Sequence, residues 1–190
     1  MSEYRRLYRQ QGWYFFTVVT YNREKILIQP DNLKRLRLSF HSVMKKYPFK
    51  MDAVVILPDH IHCIWRLPSD DDDFSTRWRL IKRYFSISMN ASLTKRAEKK
   101  VWQRRFWEHL LRNEKDCQIH IDYIHYNPVK HGYVQSPHDC PYGSFRRAIK
   151  QGLYPADWVA REPSHISGMN LEENYFGLVD SLRLIHPTLL

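Results

Sequence analysis

The sequence predicts an α+β domain in which helices pack on an antiparallel sheet of four to five strands. Three observations support this fold class. Short runs rich in aromatic and β-branched residues alternate with longer segments whose apolar residues recur at helical spacing. A brief Pro-Asp turn joins the second and third runs, and so short a link makes the two strands antiparallel neighbours. With 190 residues and 43% hydrophobic composition, the chain can bury one core.

Up to residue 127 the predicted elements follow in the order β-α-β-β-α-β-α, which is a ferredoxin-like antiparallel sheet with helices packed on it. The strands are predicted at residues 13–21, 51–57, 60–67 and 102–109. The helices are predicted at 31–47, 75–90 and 114–127, with a short basic helix at 144–151. We expect Pro128 and Gly132 to end the third helix. Residues 1–154 then form the domain, and residues 155–190 form a C-terminal tail that is partly ordered or folded back.

The charge of the chain indicates a polyanionic partner. The formal net charge is +10, and basic residues are interleaved with aromatic ones, which favours nucleic acid over a role in solubility alone. Residues 102–109 are either a surface that binds a single strand or a half-buried edge strand. Residues 1–12 are either a frayed terminus or a segment that binds a nucleic-acid strand. The candidate DNA-binding residues are Tyr4, Arg5, Arg6, Arg79, Lys82, Arg83, Arg104, Arg105 and Lys130.

Cysteine usage and hydropathy exclude several other classes of protein. The three cysteines are far apart and form no C-x-x-C pair, so we expect reduced thiols in a cytoplasmic protein and no zinc finger. No segment is long and apolar enough to span a membrane, and no signal peptide is expected.

Two stretches carry the candidate chemistry. His60 and His62 lie two residues apart on a predicted strand, so both imidazoles point to one side of the sheet. Tyr123 and Asn127 lie four residues apart on a predicted helix, which places the phenol and the amide on one face. Side by side, these elements would form an open divalent-metal site of two histidines and Asn127 beside a tyrosine nucleophile. A single histidine or tyrosine would more often be structural, because the chain has 10 and 12 of them.

These stretches resemble those of a known family. Residues 57–65, Leu-Pro-Asp-His-Ile-His-Cys-Ile-Trp, resemble the HUH motif of single-strand DNA transposases that use one catalytic tyrosine. Residues 122–132, Asp-Tyr-Ile-His-Tyr-Asn-Pro-Val-Lys-His-Gly, resemble their tyrosine helix. The most similar branch is the REP-associated tyrosine transposases, and the resemblance extends over about residues 1–160. In many related transposases glutamine occupies the position of Asn127.

The resemblance implies a nucleoid-associated, metal-dependent endonuclease and strand transferase. It would act on single-stranded DNA hairpins, formed by palindromic repeats, that have unpaired bases beside them. Tyr123 would form a 5′-phosphotyrosine and release a 3′-OH, and His60 and His62 would hold Mg²⁺ or Mn²⁺. The oligomeric state stays open between monomer and dimer.

Two other functions remain as alternatives. One is a module that binds DNA or RNA hairpins without cutting them, which would have no need of Tyr123, His60 and His62. The other is a zinc hydrolase of small molecules, which lacks a positioned carboxylate base and leaves the charge unexplained. The tail is also expected to fold over the active site and restrain it.

Overall fold

The structure is a computed structural model that describes residues 12–94, 97–155, 157–158, 163–169 and 171. The strands within these residues are β1 (Trp13–Val19), β2 (Lys50–Ile56), β3 (His60–Arg66) and β4 (Trp107–Leu110). The α-helices are α1 (Pro30–Lys46), α2 (Phe74–Ser86), α3 (Glu114–Lys130) and α4 (Phe145–Lys150). None of the helices described is long and apolar enough to cross a membrane.

The four strands form one sheet in the order β2-β3-β1-β4, with every neighbouring pair antiparallel. β3 lies between β1 and β2, so α1 crosses over an intervening strand, as in a split β-α-β unit. The predicted ferredoxin-like α+β architecture is therefore confirmed. In the β1–β3 register, Thr17 lies opposite His62 and Val19 lies opposite His60. Directly paired residues share a face, so these four side chains lie on the same side of the sheet.

The two faces of the sheet bury separate cores. One face packs against α1 and α2 through an aromatic cluster in which the Trp65 and Trp78 rings stack at 4.4 Å. The other face packs against α3 through a smaller cluster that includes Phe15, Ile64 and Ile124. Successive strand residues point to opposite faces, so the alternation of side chains in β1 and β3 supplies both cores.

The fourth strand is shorter than predicted. β4 begins at Trp107, and before it the Gln103 N–H donates to the Val19 carbonyl at 2.9 Å while Lys82 Nζ on α2 donates to the Gln103 carbonyl at 2.8 Å. The rings of Trp102 and Phe106 are buried in the α1–α2 core. The predicted strand start at residue 102 is wrong, because Trp102 makes only an isolated bridge to Thr20 and the ladder between β4 and β1 begins at Trp107. Because both rings are buried, they are not part of an exposed surface on which bases of a single strand could stack.

Helix α3 continues through Pro128 and ends later than predicted. Its last turn closes when Tyr133 N–H donates to the Pro128 carbonyl and Gly132 N–H donates to the Val129 carbonyl, both at 2.9 Å. This pattern is a Schellman motif, and Gly132 supplies the required positive φ of 67°. Gly132 ends the helix as expected, whereas Pro128 lies inside it.

Part of the predicted tail packs against α3. Ile166 and Leu171 are buried in the α3-side core, and His165 Nε2 lies 2.7 Å from Asp122 Oδ2. The remaining residues after Trp158, namely 159–162, 170 and 172–190, lie outside the described residues.

Candidate active site and metal centre

The histidine pair and the tyrosine meet between the sheet and α3. The ring centroids of His60 and His62 are 4.8 Å apart, and those of His62 and Tyr123 are 5.4 Å apart. Asn127 follows Tyr123 by one turn, and all four side chains are at most 2% exposed. The structure thus brings together a strand and a helix that are about sixty residues apart in the sequence.

The carboxylate of Asp59 orients His60. His60 Nδ1 lies 2.7 Å from Asp59 Oδ1, and Arg23 Nη1 donates to Asp59 Oδ2 at 2.7 Å. Burial alone would raise the pKa of Asp59, but the hydrogen bonds and charges of His60 and Arg23 outweigh it and lower that pKa to about 2. An ionised carboxylate can only accept, so His60 Nδ1 donates in this contact, and the neutral ring then carries its lone pair on Nε2.

His62 is held in a similar way by a neutral group. Its Nδ1 shares a hydrogen bond of 2.9 Å with Thr17 Oγ1, and the Phe15 ring stacks on it at 5.4 Å. A second partner on the far nitrogen is the usual way in which proteins orient a metal-binding imidazole. Both histidines therefore have the outer contacts expected of metal ligands.

Asn127 fits the same kind of site. Its side chain is fully buried, and within the described ranges neither Oδ1 nor Nδ2 makes a hydrogen bond. An unsatisfied buried amide costs about 1–3 kcal/mol, so such a group calls for a ligand. Two imidazole nitrogens and one amide oxygen suit a divalent cation and leave coordination positions open. The residues present therefore fit the implied metal.

Two further side chains surround Tyr123 and the histidines. Lys130 Nζ lies 5.3 Å from the centre of the Tyr123 ring and also donates to the Met169 carbonyl. The ring of His131 lies 5.4 Å from that of His60. Sequence reasoning named Lys130 but missed His131. The regular four-residue spacing of Tyr123, Asn127 and His131 along α3 could have revealed it.

The other predicted DNA-binding residues that the structure describes lie away from this site. A cavity of about 640 Å³ between α2 and residues 97–106 has a basic rim. It belongs to the α1–α2 side of the sheet, whereas Tyr123 belongs to the opposite side. Arg105 is exposed beside the cavity, and Tyr4, Arg5 and Arg6 lie outside the described residues. The predicted residues that line the cavity are Arg79, Lys82, Arg83 and Arg104.

A second group of side chains could also hold a metal ion. It consists of His109 on β4 with Asp116 and His120 on α3, whose ligand atoms all lie within 4.8 Å of one another. Burial is the main influence on His120 and lowers its pKa, which favours the neutral ring. These three residues were not predicted from the sequence to bind a metal.

Comparison with known proteins defines the class of this chain. Residues 9–127 match the family model described as "Transposase IS200 like", which covers β1 to β4, the histidine pair and most of α3. The chain therefore belongs to the IS200-like transposases. Membership of a transposase family implies an enzyme that cleaves DNA by transesterification.

Relatives place the chain more narrowly. The REP-associated tyrosine transposase of Escherichia coli (strain K12) is 48% identical over 159 residues, which are 84% of this chain and 92% of the relative. A Haemophilus influenzae protein (strain ATCC 51907 / DSM 11121 / KW20 / Rd) is 42% identical over 175 residues, 88% of this chain and 99% of the relative, and its name assigns it provisionally to the same group. A solved REP-associated tyrosine transposase bound to a REP hairpin is 45% identical with a TM-score of 0.75, covering 86% of this chain and 94% of that one. Within its family, this chain is one of the REP-associated tyrosine transposases.

Proposed function

We propose that this protein is a metal-dependent single-strand DNA endonuclease and strand transferase with Tyr123 as its nucleophile. One observation carries the proposal: the Tyr123 ring lies 5.4 Å from the ring of His62, within the buried group that also contains His60 and Asn127. A module that only binds hairpins would have no need for two oriented imidazoles beside a buried phenol.

The reaction exchanges one phosphodiester for another. Tyr123 Oη loses its proton and forms a bond to phosphorus, while the bond from phosphorus to the 3′-oxygen breaks. The 5′-phosphate remains on the tyrosine, and the departing 3′-oxygen takes up a proton to become a free hydroxyl. Attack by a 3′-OH on the phosphotyrosine reverses these steps and joins two DNA ends, which is the strand transfer.

His60, His62 and Asn127 would hold Mg²⁺ or Mn²⁺ in this site. The ion would supply electrostatic stabilisation of the charge that develops on the phosphate oxygens. An unperturbed tyrosine has a pKa of about 10, so Tyr123 needs a nearby positive charge to lose its proton near neutral pH. Lys130, 5.3 Å from the Tyr123 ring, provides one from the chain itself.

The contact between Asp59 and His60 yields a prediction about metal affinity. Asp59→Asn keeps the side-chain size but removes the charge that favours the protonated Nδ1 of His60. We expect Mn²⁺ affinity to fall by about 10–100-fold, the usual cost of losing such an outer partner. Isothermal titration with Mn²⁺ measures this loss, and Asp139→Asn is the matched control because that carboxylate is exposed. Equal affinity of Asp59→Asn and wild type would exclude the orienting role.

For the DNA partner, we infer a single-stranded hairpin with unpaired bases beside its stem. The solved relative is bound to a REP hairpin, and this chain has a basic cavity beside α2. Phosphates of the stem would contact Arg79, Lys82 and Arg83, while the unpaired segment reaches Tyr123 on the other side of the sheet. Such a partner places the protein in the cytoplasm with the nucleoid.

The basic cavity yields a prediction about salt dependence. Arg79→Gln with Arg83→Gln should weaken hairpin binding and lower the slope of log K against log salt by about 2, roughly 0.9 for each lost phosphate contact. The matched control is Lys34→Gln with Arg37→Gln, which removes equal charge from exposed positions on α1. Fluorescence anisotropy over a series of NaCl concentrations measures both slopes. Identical slopes in the two double variants would show that the cavity does not bind the stem.

The proposed chemistry is tested by trapping the covalent species. A single-stranded hairpin with flanking bases is incubated with the protein and Mn²⁺, then denatured and separated by gel electrophoresis. A label at the 3′ end should migrate with the protein, because the 5′-phosphate side of the cut stays on Tyr123. A label at the 5′ end should appear on a free fragment with a 3′-OH. Binding without cleavage in either Mn²⁺ or Mg²⁺ would instead support the non-cleaving hairpin-binding module.

A further inference from the structure

The group formed by His109, Asp116 and His120 lies on the same sheet face as the candidate active site but apart from it. His109 lies opposite Phe15 in the β1–β4 register. The Phe15 ring contacts His62 at 5.4 Å and His120 at 5.0 Å. The phenyl ring thus separates the two groups of histidines, and the second group is not an extension of the first.

Short contacts already hold the three side chains together. His109 Nε2 lies 3.1 Å from Asp116 Oδ2, and His120 Nδ1 lies 3.1 Å from Asp116 Oδ1 and 2.8 Å from the Asp116 carbonyl. The imidazoles of His109 and His120 stack at 4.8 Å with an angle of 16° between their planes. The backbone N–H of Arg112 also donates to Asp116 Oδ2 at 3.0 Å, which helps to hold the carboxylate in place.

The spacing of these atoms suits a small divalent ion. Ligands at about 2.0–2.1 Å from a tetrahedral zinc lie about 3.3 Å from one another. One ligand atom from each of the three residues lies within 4.8 Å of the other two, and each imidazole is 3.1 Å from a different oxygen of the Asp116 carboxylate, so side-chain rotations would complete the geometry. A set of two imidazoles and one carboxylate binds borderline transition metals in preference to Mg²⁺.

The group is also accessible to solvent on one side. The side chain of His120 is 5% exposed, while those of Asp116 and His109 are 21% and 26% exposed. An ion could therefore enter without unfolding of α3 and keep water in its remaining positions. Its binding would replace the protons shared in the present hydrogen bonds and release them to solvent.

We propose that His109, Asp116 and His120 form a second divalent-metal site that binds Zn²⁺ or a similar transition ion. The ion would join β4 to the first two turns of α3, the helix that carries Tyr123 three residues after His120. Its role would be to fix the tyrosine helix against the sheet edge. It would take no part in the chemistry at phosphorus, and the proposal does not rest on the proposed function.

The test removes the other metal site first. The full-length His60→Ala/His62→Ala variant is titrated with Co²⁺, followed by visible absorption, and with Zn²⁺, followed by metal analysis after gel filtration. We expect one ion per chain and a rise in Tm of several degrees with excess Zn²⁺, since a ligand that binds the folded state stabilises it. Adding Asp116→Asn should eliminate the bound ion and the rise in Tm.

Two further variants separate a metal site from a hydrogen-bonded cluster. In the same background, His138→Ala with Asp139→Asn removes an exposed histidine–carboxylate pair and should leave the bound ion in place. His109→Gln, on the edge strand, gives a second route to losing the ion if Asp116→Asn fails to fold. Absence of bound Co²⁺ and Zn²⁺ in the folded His60→Ala/His62→Ala variant would overturn the proposal. The three residues would then act only as a hydrogen-bonded clamp on α3.

Discussion

Replacing Tyr123 with phenylalanine is expected to lower hairpin cleavage by at least about a thousandfold and to eliminate the covalent protein–DNA species. The substitution removes only the hydroxyl oxygen that would bond to phosphorus. The ring stays in the α3-side core, where it packs against Phe15 and His62, so the fold should be preserved. Hairpin affinity should change little, because the basic cavity lies on the opposite side of the sheet.

Tyr126→Phe is the matched control for this variant. Tyr126 lies three residues further along the same helix and packs against the same core, so its replacement also removes one phenolic hydroxyl from α3. It should cleave at the rate of the wild type. If Tyr123→Phe cleaved at the wild-type rate and formed an adduct on another tyrosine, that other tyrosine, and not Tyr123, would be the nucleophile.

Replacing His60 and His62 together with alanine is expected to remove Mn²⁺-dependent cleavage, again by at least about a thousandfold. Both imidazoles are oriented by outer partners, Asp59 and Thr17, so their loss removes two of the three proposed ligands. Hairpin binding in the absence of metal should be retained. Cleavage rates and Mn²⁺ titrations of the same preparation measure the two effects separately.

Burial of the two histidines calls for a control on stability. The alanines leave space in a packed region, so unfolding of each variant is followed by circular dichroism alongside the activity measurements. His62→Phe provides a second variant that fills the space next to Phe15 but offers no nitrogen. His138→Ala, at an exposed position, should behave as the wild type. Persistent cleavage by the wild type in excess chelator would refute the metal requirement.

Together the two predictions distinguish the nucleophile from the metal ligands. Tyr123→Phe should still bind Mn²⁺ and fail to form the adduct, whereas the double histidine variant should retain the phenol and lose the metal. Loss of both properties in both variants would indicate a general collapse of the pocket between β3 and α3.

Local patterns were sufficient for most of the fold. Strands and helices have periods of 2 and about 3.6 residues, so apolar spacing places β1, β2, β3, α1 and α2 within a few residues of their bounds. The same periods put His60 with His62, and Tyr123 with Asn127, on common faces. The short turn before His60 made β2 and β3 antiparallel neighbours, which the structure confirms.

The errors arose where tertiary contacts override local pattern. Aromatic and basic residues alternate near residue 102 as in a strand. However, Trp102 and Phe106 pack into the core beside α2, and the strand begins only at Trp107. Pro128 is a strong helix breaker in isolation, but α3 keeps it and ends at Gly132, where the backbone adopts a positive φ. In both places packing and capping compensate for a weak local preference.

The sequence by itself determined the local placement of the candidate groups, because residue type and spacing put two imidazoles on one face of a strand and a phenol and an amide on one face of a helix. Only the tertiary structure decided which groups support them: Arg23 and Asp59 behind His60, Thr17 behind His62, and His131 beside the pair. It also decided that His109 lies against Asp116 and His120. Such contacts depend on how β1, β3, β4 and α3 are placed relative to one another, and no short-range periodicity specifies that placement.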